Sequence, residues 1–351
     1  MRIARIVLKT LGALLVAFLL ALGIWALVPA ATAPIDGERA IAALERVSLG
    51  GFEQTILVRG HDREKPVVLY LHGGPGFGQL PRAPGYSDEL ERHFVVVHWD
   101  QRGAGASCAG ADFPAITRER IVADTIELSE QLARRFGGAG KIFLVGHSWG
   151  SVVGALAAQQ RPDLFAAYIG LGQLVNGRRN EELSYRFVLA EARRRGDADA
   201  LAELEAIHPP YPTFEQLRVQ RRWLDVYRGS IYATERAREV LPAALFGREY
   251  TLATRLRYVP CLLRSIDRLW GGLDGFDAIT QIPRLEVPVY FFTGRHDWNT
   301  PFPLVEEWAA QLKAPHVELV WFDEAGHFPM IEMPEEFQRA LIEKLTPLAR
   351  R

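Results

Sequence analysis

Short apolar, β-branched runs alternate with helical patterns along most of this 351-residue chain. The runs are Val67–Leu71, Phe94–His98, Ile142–Val145, Ala167–Leu171, Val287–Phe292 and Val317–Trp321. Each is too short for a helix, and near-continuous apolarity marks strands covered on both faces, as in parallel sheets. Ile121–Phe136, Trp149–Gln160, Phe302–Leu312 and Pro334–Leu348 carry apolar positions at helical spacing. The alternation predicts an α/β fold, a mostly parallel sheet flanked by helices. Ahead of it, Val47–Arg59 reads as two strands around Gly50-Gly51, a hairpin signal.

One stretch breaks the pattern. From Gln173 to Gly275 no strand signal appears; the segment is Arg-rich and helix-forming, broken at His208-Pro209-Pro210-Tyr211-Pro212 and Gly271-Gly272. It is expected to form a helical cap, residues 173–275, inserted after the sixth core strand. The cap would lie over the sheet's carboxyl edge, where open α/β sheets bind ligands. Residues 34–172 and 276–351 then make the catalytic domain.

Residues 1–33 read as a targeting segment. Arg2, Arg5 and Lys9 precede the apolar run Leu11–Val28, the layout of an export signal. Such a run is about 27 Å long as a helix, just enough to span hydrocarbon. Ala31-Thr32-Ala33 offers a cleavage site in a poor context, because Pro34 follows it; Val28-Pro29-Ala30 is weaker still. The expectation is a signal or a membrane anchor, the anchor favoured; a retained leader would touch the membrane through residues 10–28, and either way the domain would be exported and extracytoplasmic. The chain is 48% hydrophobic and 24% charged, which excludes a disordered protein. A net charge of −1 gives no basic field for nucleic acid. Cys108 and Cys261 have no metal-ligand spacing, and no H-E-x-x-H occurs, so no metal is expected. An exported chain can pair two cysteines, but two separate buried thiols are expected here.

The chemistry lies where strands end. Ile142–Val145 runs into Gly146-His147-Ser148-Trp149-Gly150 and then a helix, which is G-x-S-x-G in its strand–turn–helix context. The turn lifts Ser148 to the sheet's carboxyl edge as a candidate nucleophile. A serine hydroxyl needs a base oriented by an acid. Asp297 follows one later strand and His327 the last, in the order Ser, acid, His. Asp323 is the rival acid. Acyl transfer also needs oxyanion donors; the N–H groups of Gly74, in His72-Gly73-Gly74-Pro75-Gly76, and of Trp149 are assigned to that hole. The Gly74–Pro75 bond is a candidate for the cis form. Two phosphate motifs fail: Cys108 stands where G-x-G-x-x-G needs its third glycine, and Gly140-Lys141 is followed by Ile142.

HGGPG at 72–76, WDQRGAGAS at 99–107, GHSWGS at 146–151, GRHDWNTP at 294–301 and GHFP at 326–329 together resemble the α/β-hydrolases of the proline iminopeptidase family. The resemblance implies the α/β-hydrolase fold, a triad of Ser148, Asp297 and His327, release of N-terminal proline from short peptides, and no cofactor. It also implies that cap glutamates hold the substrate's free amine. The candidates are Glu181, Glu182, Glu203, Glu205 and Glu235, with Glu181 first. Alternatives are an esterase, lactonase or amidase with the same triad, or a membrane-tethered ligand-binding protein on a hydrolase scaffold. Epoxide hydrolases and dehalogenases resemble this fold but use Asp as nucleophile. The oligomeric state is left open.

Overall fold

A computed structural model describes residues 2–136, 140–211, 213–233 and 247–349. Eight strands form one sheet in the order β1-β2-β4-β3-β5-β6-β7-β8. They are β1 (Ile41–Leu49), β2 (Phe52–Gly60), β3 (Val67–Leu71), β4 (Val95–Asp100), β5 (Ile142–His147), β6 (Phe165–Leu171), β7 (Val289–Gly294) and β8 (Val317–Phe322). β1 and β2 form an antiparallel hairpin, and β2 pairs antiparallel with β4. Every other pairing is parallel. Gly50 and Gly51 both have positive φ, 53° and 71°, which a two-residue hairpin turn of this hand requires. The hairpin strands run further than the sequence pattern suggests, because β1 lies at the sheet's edge and is only half-buried.

The apolar runs are buried on both sides of the sheet. One face packs on helices Arg118–Phe136, Trp149–Gln160 and Phe302–Gln311; the other packs on residues 80–94 and the helix Pro334–Leu345. Strand directions place the ends of β3, β5, β6, β7 and β8 along one edge.

Between β6 and β7 the described residues hold helices and no strand: Gly177–Arg195, Ala198–Glu205, Phe214–Val226 and Leu252–Leu269. Each begins on a side chain that accepts a backbone N–H: Asn176, Asp197, Thr213 and Thr251. The first three close around their own apolar cluster, including Val188, Leu204 and Leu224. The insertion reaches the sheet's carboxyl edge through hydrogen bonds. Tyr250 Oη donates to Asp100 at 2.7 Å, Ser265 Oγ to the Gly103 carbonyl at 3.1 Å, and the Trp298 and His327 amides to the Gly229 and Ser230 carbonyls, each at 2.7 Å.

Cys108 and Cys261 are not separate thiols. They form a disulfide across 153 residues of sequence, with Cα atoms 6.2 Å apart. Helix Leu252–Leu269 returns from the insertion and packs on the loop after β4, a long-range contact that spacing alone does not reveal.

Residues 2–27 form one helix. Among the described residues no helix is long and apolar enough to cross a membrane; several side chains of this helix lie outside the description. The segment after it is docked. The Ala31 amide donates to the Arg248 carbonyl at 3.0 Å, and Arg59 Nη1 donates to Thr32 Oγ1 at 2.7 Å and to the Ala33 carbonyl at 2.6 Å.

Candidate active site

β5 ends in Gly146-His147, and Ser148 follows at φ 53°, ψ −119°, directly before helix Trp149–Gln160. Positive φ in a residue with a side chain is strained by about 1–3 kcal/mol and persists only where surroundings enforce it. Here a Cβ on Gly146 would lie 2.4 Å from the Gly150 carbonyl oxygen, and one on Gly150 the same distance from that of Leu71. Two side-chain-free positions thus let the helix press against the ends of β3 and β5. The Ser148 amide donates to the Leu171 carbonyl at 2.9 Å, and its carbonyl accepts Ser151 Oγ at 2.5 Å. The hydroxyl therefore stands at a helix N-terminus, in positive backbone potential.

The loops after β7 and β8 meet beside it. Asp297 Oδ2 lies 2.8 Å from His327 Nδ1, and both side chains are essentially inaccessible. Asp297 also accepts the Asn299 and Thr300 amides at 2.9 and 2.8 Å and Thr300 Oγ1 at 2.8 Å. Its carboxylate is thus fixed on both oxygens, as orienting an imidazole requires. Gly172, at φ 51°, leaves the imidazole its space: a Cβ there would lie 2.9 Å from His327 Nδ1. The end of β6 therefore adjoins both groups, holding the Ser148 amide at Leu171 and clearing room for His327 at Gly172. Asp323 is elsewhere, exposed and paired with Arg295. His147 sends Nε2 to the His327 carbonyl at 3.0 Å; burial pushes its pKa well down, so it is a neutral brace.

Gly74, at φ 124°, has no room for a side chain, and the bond to Pro75 is cis. No acceptor among the described residues takes the Gly74 or Trp149 N–H. Gln101 joins the two positions. Its amide donates to His72 Nε2 and its Nε2 to the His72 carbonyl, both at 3.0 Å, while its Oε1 accepts Trp149 Nε1 at 3.0 Å. His72 must therefore carry its proton on Nδ1, which lies 2.7 Å from the Gly73 carbonyl. Burial holds His72 at about 4, neutral at ordinary pH. Sequence reasoning located the motif containing Gln101 and missed this role.

Two more groups emerge only from the structure. Glu332 Oε1 accepts the Gly326 and Phe328 amides at 3.0 and 3.1 Å, and Oε2 accepts those of Tyr232 and Ala233 at 2.8 and 3.0 Å. One carboxylate thus ties the His327 loop to the insertion. Among the cap acids, Glu181 is buried; its Oε1 accepts Arg221 Nη2 at 2.6 Å and Asn180 Nδ2 at 3.2 Å, while its Oε2 has no partner among the described residues. Glu203 and Glu205 are exposed and paired with Arg222 and Arg193. Glu182 is only half-buried on the same helix as Glu181, and Glu235 lies outside the described residues. Asp225, which the sequence did not single out, forms no ion pair among the described residues. Its side chain is accessible, yet surrounding protein raises its pKa, against a Ser230 hydrogen bond and the charges of Arg221 and His327. Asp225 lies close enough to His327 for their charges to interact.

A family model described as "Alpha/beta hydrolase family" matches residues 68–340. The chain belongs to the α/β-hydrolase family. Within it, the chain is 33% identical to the "Probable aminopeptidase YbaC" of Bacillus subtilis over 88% of this chain and 97% of that protein. It is 27% identical to epoxide hydrolase A of Mycobacterium tuberculosis over 81% and 91%. The crystal structure of a proline iminopeptidase-related protein from Thermus thermophilus superposes with a TM-score of 0.62 at 25% identity, covering 88% of this chain and 99% of that one. This α/β-hydrolase is a hydrolase with relatives named aminopeptidase.

Proposed function

We propose that this α/β-hydrolase is a serine aminopeptidase that releases N-terminal proline, or a similar small residue, from short peptides through an acyl-enzyme. The observation that carries the reading is Ser148 in a strained elbow, with a buried His327–Asp297 pair on adjoining loops. Ser148 Oγ attacks the scissile carbonyl while His327 Nε2 takes its proton. Asp297 holds Nδ1–H and stabilises the imidazolium. The Gly74 and Trp149 amides, braced through Gln101, receive the oxyanion. His327 then protonates the departing amine, and water reverses the sequence. Ser148 stands where epoxide hydrolase chemistry needs a carboxylate.

Asp225 joins Glu181 as a proposed partner of the substrate's ammonium: a desolvated cation needs a carboxylate oxygen free to accept, Asp225 forms no ion pair among the described residues, and Glu181 keeps Oε2 free while Arg221 holds Oε1. The Arg221 pairing favours a second reading, an esterase, lactonase or amidase with the same triad, since it offsets the charge of one cap acid. Turnover of a prolyl arylamide against a p-nitrophenyl ester separates the two. Ser148→Ala should cost on the order of 10⁴-fold on either substrate; activity within about tenfold of wild type would remove the triad. Asp225→Asn should lower kcat/KM for the free-amine substrate about 10- to 150-fold and spare the ester. Equal losses on both would make Asp225 structural.

For localisation, the proposal is a domain outside the cytoplasm, retained on the membrane by its N-terminal helix. The disulfide suits an oxidising compartment. The docking of Ala31–Ala33 makes the segment after the helix part of the fold. Full-length protein in the membrane pellet is the expected result; a soluble form beginning near Ile35 would end this reading.

A further inference from the structure

The segment after the oxyanion loop turns helically, with the Arg82 amide donating to the Gln79 carbonyl at 3.0 Å and that of Tyr86 to Ala83 at 3.2 Å. Gln79, Arg82 and Tyr86 therefore share one face. That face points inward, against Tyr70 of β3 and His98 of β4. The rings of Tyr70, Tyr86 and His98 lie 5.1–5.8 Å apart in each pair. All five residues are more than nine-tenths buried, Arg82 being 8% exposed. Each carries polar atoms without a hydrogen-bond partner among the described residues: Gln79 Nε2, Arg82 Nε and Nη2, both phenol oxygens and both His98 nitrogens. Buried polar atoms left unpaired cost free energy that, summed over this cluster, rivals the stability of a whole domain.

The cluster is rich in donors. Burial raises both phenols, so they stay protonated, and holds His98 at about 3, so it is neutral. Arg82 brings the only charge among the five. Neighbouring acids are engaged elsewhere. Asp100 accepts the Gln79 and Ala106 amides and Tyr250 Oη, and Glu91 accepts Arg59 and Ser87. The unpaired Nε–Nη2 edge of Arg82 is the edge with which Arg102 grips both oxygens of Asp124, at 2.8 and 3.1 Å. That planar fork fits a carboxylate.

We propose that Arg82, Gln79, Tyr70 and Tyr86 form a binding site for a carboxylate monoanion, held two-pronged on the Nε–Nη2 edge of Arg82. One guanidinium balances one negative charge, and the phenols and the Gln79 amide supply donors around it. The site stands on this geometry and does not depend on the role of Ser148. The carboxylate belongs either to a small free acid or to the C-terminus of a short peptide.

Thermal unfolding of the full chain in sodium acetate, against sodium chloride at equal ionic strength, tests the site. Acetate should raise the midpoint saturably, and Arg82→Met should weaken the saturating concentration at least about tenfold. No acetate-specific effect, or the same saturation in Arg82→Met, would overturn the site. If Arg82→Met does not fold, Gln79→Leu and Tyr86→Phe serve: severalfold weaker saturation in each supports the site, and unchanged saturation in both overturns it. A prolyl dipeptide and its C-terminal amide, each titrated into the Ser148→Ala protein with and without Arg82→Met, distinguish the sources. An Arg82-dependent rise with the dipeptide alone assigns the site to peptide C-termini. No rise with either, beside a rise with acetate, assigns it to a free acid.

Discussion

Asp100 shows how one buried carboxyl sets a pH dependence. It sits at the end of β4 with no exposure, accepting Gln79 N, Ala106 N and Tyr250 Oη. Burial outweighs those donors and a fourth, the Leu80 amide, and raises its pKa from 3.8 to about 6. The folded state therefore favours the protonated carboxyl. The stability this preference contributes is complete below the unfolded value and is lost as pH rises through about 6. Asp100→Asn removes the titration. The stability difference between wild type and variant should shift by on the order of 3 kcal/mol between about pH 4 and pH 7. Urea unfolding at a series of pH values reads it, and a flat difference would exclude Asp100 as the source. At this scale the positions of Ser148, Asp297 and His327 at one sheet edge were legible, because each stands just beyond an apolar run. Gln101, Glu332 and Asp225 were not, since their partners lie far away in sequence and nothing local marks them.

The elbow helix owes its position to missing side chains. Gly150 packs where a Cβ would lie 2.4 Å from the Leu71 carbonyl oxygen and 2.7 Å from that of His72. Both contacts are backbone, so neither can swing aside. Gly150→Ala should destabilise the protein by about 1–3 kcal/mol, the range for overpacking a tight interface, read as a lower urea midpoint. Activity should fall further than stability, because the displaced carbonyl of His72 is the one Gln101 holds. Retained activity at wild-type stability would show that the helix can slide. Element boundaries followed from apolar runs to within two residues where strands are covered on both faces: β3 falls on its predicted residues, and β4 and β7 start one and two residues later than predicted. The hairpin strands ran long because half-buried edge strands mix polar and apolar residues without a clean alternation.

Across the whole molecule, the insertion is fastened to the catalytic sheet at more than one place. The disulfide closes a loop of 153 residues between the post-β4 loop and helix Leu252–Leu269. Replacing both cysteines by serine should lower unfolding free energy by about 2–4 kcal/mol, with the loss concentrated in the insertion. Hydrogen exchange compared between Cys108→Ser/Cys261→Ser and wild type checks this, and unchanged protection in that helix would count against it. The architecture was readable from the break in alternation after Gln173, whereas the fastening was not, because loop closure leaves no periodic trace in a sequence.

The other fastening is Glu332. Because its two oxygens hold amides from the insertion and from the His327 loop, a displacement of Tyr232 is delivered to the loop that carries His327, the proposed base. A molecule wedged under residues 230–233 would misalign His327 without touching Ser148. Such an inhibitor would reduce turnover while leaving substrate affinity nearly intact, the kinetic pattern of a lever and not of a plug.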